Sequence, residues 1–143
     1  MISLVFDHTG LIISLLGIVL VLRSDILEKQ SRRFFLWIFI ILIAYALSDA
    51  ISWITYEKVG REWMLASKIS LFLASVFSGA LIPLLTGFML YSSGEEKAFR
   101  NRIFQMILAV FAVYLILLIY AQFSTAIYYY DESNTYHRGP WYP

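Results

Sequence analysis

Four long apolar blocks alternate with short islands of charge along this 143-residue chain. The pattern predicts membrane helices over about 3–22, 34–56, 69–91 and 103–123, followed by an aromatic and polar stretch over 124–143. The second block, Phe34–Tyr56, is the most informative. Its 23 residues cover roughly 34 Å as a helix, enough for a hydrocarbon core of about 30 Å. Tyr45, Ser48, Asp49, Ser52 and Tyr56 follow the spacing of a single helical face, and the opposite side of Phe, Ile, Leu and Trp suits lipid. An ionised Asp near mid-bilayer costs roughly 2.5–3.5 kcal/mol on insertion scales, so Asp49 requires a polar neighbour or a wet cavity. A polar seam on one helix implies an antiparallel bundle, and the fold class expected is all-α with short connections.

The first block is the shortest in strongly apolar residues, Leu11–Leu22, and reaches a spanning length only by including Met1–Gly10, which places Asp7 and His8 near its outer end. Gly10, Ser14 and Gly17 form a small-residue stripe suited to close approach of a neighbour. In the third block Ser75, Gly79, Pro83 and Gly87 recur every four residues, a small-residue packing face on which Pro83 is expected to bend the helix or act as a hinge. Between blocks, Asp25 with Glu28 suits a capped turn, Gly60 a helix break, and Trp63 an interfacial anchor. The runs Tyr128–Tyr130 and Trp141–Tyr142 suit an aromatic belt.

Composition agrees with this reading. Hydrophobic residues make up 60% of the chain and charged residues 15%, which excludes an ordinary soluble domain. A net charge of +1 argues against a nucleic-acid partner. With no cysteine, thiolate metal sites and thiol nucleophiles are excluded. Lys and Arg are unevenly placed. The first and third connections carry Arg23, Lys29, Arg32, Arg33, Lys97, Arg100 and Arg102. The second connection and the tail carry Lys58, Arg61, Lys68 and Arg138. The positive-inside rule then puts the first and third connections in the cytoplasm and both termini outside the cell membrane.

No catalytic motif assembles, and no enzyme activity, metal or cofactor is expected from the chain. The two His residues stand far apart, without a metal-binding spacing. In the expected topology Asp49, Ser52 and Tyr56 share the outer half with Asp7 and His8, and with Lys68, Asp131, Glu132 and His137. Together they could line a pocket for a small polar ligand. The bland reading of Asp49, a hydrogen-bonded acid fixing helix register, weighs as much as the functional one.

The most idiosyncratic stretch is Tyr129–Pro140, YYDESNTYHRGP, in which Asp131, Asn134 and Gly139-Pro140 are turn formers. Its order of Asp131, Asn134, Tyr136, Arg138, Gly139 and Pro140 resembles the N-terminal multi-pass membrane region of Firmicutes-type signalling proteins. There a membrane sensor precedes a cytoplasmic GGDEF diguanylate cyclase or a sensor histidine kinase, and the motif precedes a further membrane helix. The resemblance implies a sensory input module. The chain departs from that family in carrying no GGDEF motif, kinase core or DNA-binding output, so it looks truncated before a fifth helix, and no cyclase or kinase activity carries over. Expected partners are the lipid bilayer and an unknown small ligand, with a homodimer through the membrane helices left open. The rival readings are a small transporter or transporter subunit using Asp49 as its coupling acid, and a structural membrane subunit.

Overall fold

The structure, a computed structural model, describes residues 2–56, 58–94, 101–124, 128–131 and 133–140, with side chains from His8 onward. It consists of four helices, α1 (Ile2–Arg23), α2 (Lys29–Thr55), α3 (Arg61–Ser92) and α4 (Arg102–Phe123), and a two-stranded antiparallel ribbon, β1 (Tyr128–Tyr130) and β2 (Tyr136–Arg138). The helices lie in chain order. The α2–α3 pair shares the largest interface, with α1 against α2 and α4 against α3. Three helices are long and apolar enough to cross a membrane: α2 with 27 residues, α3 with 32 and α4 with 22. The described side chains of α1, His8–Arg23, form a shorter apolar stretch.

The distribution of side chains is that of a protein dissolved in lipid. Buried positions of the α2–α3 pair are small or hydroxylated: Ala46, Ser48 and Thr55 on α2, with Ser67, Ser70 and Ala74 on α3. Large apolar side chains face outward, Ile82 at 62% exposure and Val110 at 71%. In water this would be an aggregation surface. In a bilayer lipid tails cover the exterior, and helices associate through close backbone approach and interhelical hydrogen bonds. Hydroxyls turn back onto their own helix: buried Ser48 donates to the Ala44 carbonyl at 2.8 Å and half-buried Ser75 to that of Leu71 at 2.9 Å.

Two glycines allow aromatic rings to approach. A Cβ at Gly17 of α1 would collide with the ring of Phe39 on α2. A Cβ at Gly79 of α3 would meet the Tyr114 ring of α4 at 2.6 Å and Phe111 at 3.2 Å. The Tyr114 hydroxyl in turn donates to the Ser75 carbonyl at 3.1 Å, and Gly87 lies beside Phe104. The small-residue face of α3 therefore receives the aromatic residues of α4. Pro83 is buried on α3, which continues as helix on both sides of it. At the opposite end of the α2–α3 pair, Phe35 and Phe88 pack with centroids 4.9 Å apart, and Phe34 lies 5.8 Å from Phe88.

Several elements differ from the sequence expectations. Helix α2 begins at Lys29 rather than near 34, and α3 begins at Arg61 rather than near 69. Hydropathy marks where lipid contact begins, whereas the backbone keeps its helical hydrogen bonds beyond that boundary. Glu62 in the first turn of α3 favours this extension through the helix dipole. The α2–α3 connection accordingly shrinks to a tight turn, with Gly60 at φ 135° preceding α3. Trp63 belongs to the first turn of α3, and the Lys58 ammonium lies 4.3 Å from its ring centroid. The capped turn expected from Asp25 and Glu28 is absent: Glu28 sits at the start of α2 without a side-chain cap bond. Part of the aromatic and polar tail, for which only turn formers and interfacial rings are expected, folds into the ribbon. The expectations for Lys97, Arg100, Glu132, Trp141 and Tyr142 fall outside the described residues.

Candidate functional site

The ribbon folds over the end of the bundle formed by the C-terminus of α2 and the N-terminus of α3. Its five-residue loop is organised by Asp131, whose carboxylate accepts from the backbone N–H groups of Ser133 at 3.0 Å and Thr135 at 2.9 Å, and from the Ser133 hydroxyl at 2.6 Å. The other carboxylate oxygen lies 2.8 Å from Nε2 of His137. These hydrogen bonds, from the Ser133 hydroxyl first and His137 next, hold the Asp131 carboxyl well below the usual carboxylate range. Asn134 adopts φ 58°, a left-handed conformation that Asn tolerates better than most residues. The turn aims the Asn134 side chain into the helix pair.

There Asn134 is 1% exposed. Its Nδ2 donates to the Thr55 carbonyl at 2.7 Å and to Ser67 Oγ at 3.1 Å. Ser67 Oγ donates to Thr55 Oγ1 at 2.9 Å, and that hydroxyl donates to the Ile51 carbonyl at 2.9 Å. One continuous hydrogen-bond network thus joins α2, α3 and the ribbon. Oδ1 of Asn134 is buried with no hydrogen-bond partner among the described residues.

Beside this pin lies a cavity of about 460 Å³, within the range of about 300–1,000 Å³ typical of ligand pockets. Helix α2 contributes Asp49, Ser52 and Trp53 to its wall, and Tyr56 adds to it from the C-cap position. Leu71 of α3 and Tyr130 and Tyr136 of the ribbon complete the wall of a cavity that stays open on one side. The Trp53 and Tyr56 rings are tilted to one another at 6.4 Å, and Tyr130 meets Tyr136 edge-on at 5.8 Å. Tyr128, buried beneath them, stacks on Tyr136 at 5.7 Å, and its hydroxyl accepts from the Gln122 amide of α4. Burial, reinforced by the neighbouring Tyr128, Tyr136 and Tyr56 phenols, pushes the Tyr130 hydroxyl up to about 12.

The structure therefore brings Asp49, Ser52 and Tyr56 together with Tyr136 of the tail. His8 on α1 is exposed and does not line this cavity, and the side chain of Asp7 lies outside the description. Arg138 and Pro140 are exposed, Gly139 is half-buried, and none of the three lines the cavity. Asn134 pins the ribbon rather than only turning it. Trp53 is 47% exposed, as its apolar character leads one to expect, and it also lines the cavity, in line with its i+4 spacing from Asp49 and i−3 from Tyr56. Tyr128 and Tyr130 pack against one another and against Tyr136 within the ribbon. Thr55 and Ser67 were missed, since a single hydroxyl on an apolar helix carries no periodic signature.

A second cavity, of about 400 Å³, opens between α3 and α4 beside Gly79 and Pro83 and is walled mainly by apolar side chains such as Ile82, Val110 and Phe111. Among the described residues no group of three or more His, Cys, Asp or Glu side chains could hold a metal ion. Comparison with known proteins returned no match: no family model fits the chain, and neither a curated protein nor a solved structure is detectably similar to it.

Proposed function

We propose that the protein is a membrane-embedded sensory input module that takes up a small ligand in the cavity under the ribbon. In this reading four helices cross the membrane. Helix α1, with 22 residues, covers about 33 Å at 1.5 Å per residue. The distribution of Lys and Arg puts the α2–α3 turn, the ribbon and both termini outside. A ligand then arrives from the external medium and meets Asp49, Ser52 and Tyr56 on α2 together with Tyr130 and Tyr136 on the ribbon.

The observation that carries the reading is the shared wall. One cavity is lined by α2, α3 and the ribbon, and the same three elements meet at the Asn134–Thr55–Ser67 network. A ligand favouring one spacing of these elements shifts the population of the helix pair by its differential affinity for the two arrangements. The α3–α4 contact along Gly79, Pro83 and Gly87 extends that linkage towards the cytoplasmic side. The resemblance of the tail to membrane sensor regions points the same way.

The chain lacks cysteine, so a Thr135→Cys variant reports ribbon accessibility through maleimide labelling. The variant, in lipid nanodiscs, would be screened against cationic, anionic, neutral polar and apolar small molecules. At least one class should slow labelling, and Asp49→Asn, Ser52→Ala and Tyr56→Ala should each remove the effect without lowering membrane abundance. Protection by no class, or protection untouched by all three substitutions, overturns the reading.

A further inference from the structure

We propose that the ribbon-capped cavity recognises an alkylammonium group, a small organic cation held by the Asp49 carboxylate within a cage of aromatic rings. The inference rests on the ligand-binding reading above and names the chemistry of the ligand. Four of the seven lining residues are aromatic, one from each side of two ring pairs: Trp53 with Tyr56 on α2, and Tyr130 with Tyr136 on the ribbon. One lining residue is an acid, Asp49, and none is basic. A carboxylate in the wall repels an anionic ligand, and an uncharged apolar ligand draws no attraction from it. A cation satisfies both features, because aromatic faces carry negative electrostatic potential and attract a methylated ammonium that has little hydration to lose.

The neighbouring cation does not compete. The Lys58 ammonium lies over Trp63, outside the cavity, and shows the same chemistry at an exposed position. The two ring pairs come from different elements, so the cage is complete only while the ribbon is pinned by Asn134. Ammonium binding and ribbon docking thereby favour one another, and each strengthens the other by the same factor. The cation has two natural sources, a free quaternary amine in the medium or the headgroup of a choline lipid, and the chemistry is common to both.

The test uses the full chain in nanodiscs of phosphatidylglycerol, whose headgroup carries no ammonium. Tetramethylammonium and choline are titrated by tryptophan fluorescence and by protection of the Thr135→Cys label. The neutral carbon isostere of choline, 3,3-dimethylbutanol, is the control. Saturable binding of the cations, at least about tenfold tighter than the isostere, is expected. Asp49→Asn and Trp53→Leu should each weaken it by about tenfold, and Tyr56→Leu, at an exposed position that does not threaten folding, by several-fold. Binding of free choline assigns a soluble amine. Binding only of dihexanoylphosphatidylcholine below its micellar concentration, with the same variant losses, assigns a lipid headgroup; both support the proposal. Equal binding of the isostere, or binding unaltered in all three variants, overturns it. Should ammonium probes fail while another class protects the ribbon, the ammonium assignment falls and the sensory reading stands; protection by no class removes both.

Discussion

The side-chain amide of Asn134 donates to the backbone carbonyl of Thr55 at 2.7 Å across 79 residues of sequence. This contact ties the last described segment of the chain to the end of α2, where the same carbonyl also accepts from the Lys58 backbone N–H at 3.3 Å. Asn134→Ala removes this bond and the one to Ser67. The expected cost is about 1–3 kcal/mol for the buried groups left unpaired. Hydrogen exchange of the Tyr128–Tyr130 amides in detergent or nanodiscs should accelerate while the helix interiors stay protected; unchanged exchange would show that the pin contributes nothing.

Ser67 accepts from Asn134 and donates to Thr55, so the three side chains should act as a unit. In a double-mutant cycle, Ser67→Ala and Asn134→Ala are expected to be non-additive by about 0.5–1.5 kcal/mol. Additive losses would separate the ribbon from the α2–α3 contact.

Asp131 sets the acid limit of the ribbon. Its folded-state carboxyl titrates below the unfolded value of about 3.9. The unfolded state therefore binds the proton more readily, and the stabilisation is present in full above that value and lost as pH falls below it. Ribbon amide protection, measured relative to intrinsic exchange, should fall on acidification below about pH 4, and Asp131→Asn should lower it uniformly and leave it flat across that range. Tyr130 acts at the other extreme. With its phenol raised to about 12, its contribution is complete below about pH 10 and fades as pH climbs towards the folded value. Ultraviolet titration of a Tyr130→Phe variant should lack the latest phenolate step seen in the parent.

Gly79 and Gly10 should respond oppositely to a side chain. At Gly79 a Cβ meets the Tyr114 ring at 2.6 Å, whereas nothing lies within 4 Å of one at Gly10. Gly79→Val forces α3 and α4 apart or turns Tyr114 away from the Ser75 carbonyl, and a loss of about 1–3 kcal/mol is expected from overpacking. Gly10→Ala should be neutral or stabilise by up to about 1 kcal/mol through helix propensity. Thermal inactivation in one detergent ranks the two, and equal behaviour would contradict the packing of α3 on α4.

The orientation is open to a direct measurement on the cysteine-free chain. Val59, in the α2–α3 turn, and Ile26, in the α1–α2 connection, are both highly exposed. A membrane-impermeant maleimide should label Val59→Cys in intact cells and Ile26→Cys only after permeabilisation. The reverse pattern would invert the topology and move the cavity to the cytoplasmic face.

Local pattern carried much of this architecture. The apolar blocks located α2, α3 and α4, and helical periodicity grouped Asp49, Ser52 and Tyr56 on one side, because that spacing is a property of a single helix. The same reasoning covers only part of Trp53, which is nearly half exposed as its apolar character suggests and also lines the cavity beside Asp49 and Tyr56. The ribbon was also within reach: three residues on either side of a five-residue loop rich in Asp, Ser, Asn and Thr are a hairpin signal. Turn chemistry was read there without the strands that flank it.

The sequence by itself determined where the apolar spans lie, that three of them are long and apolar enough to cross a membrane, and which face of α2 is polar. Each of these follows from neighbours within a turn or two of helix. Only the tertiary structure decided that Asn134 reaches Thr55 and Ser67, that Tyr130 and Tyr136 line one cavity with Asp49, and that α3 receives the rings of α4. Those relationships join residues far apart in the chain, and their geometry depends on how whole helices pack, which no local period encodes.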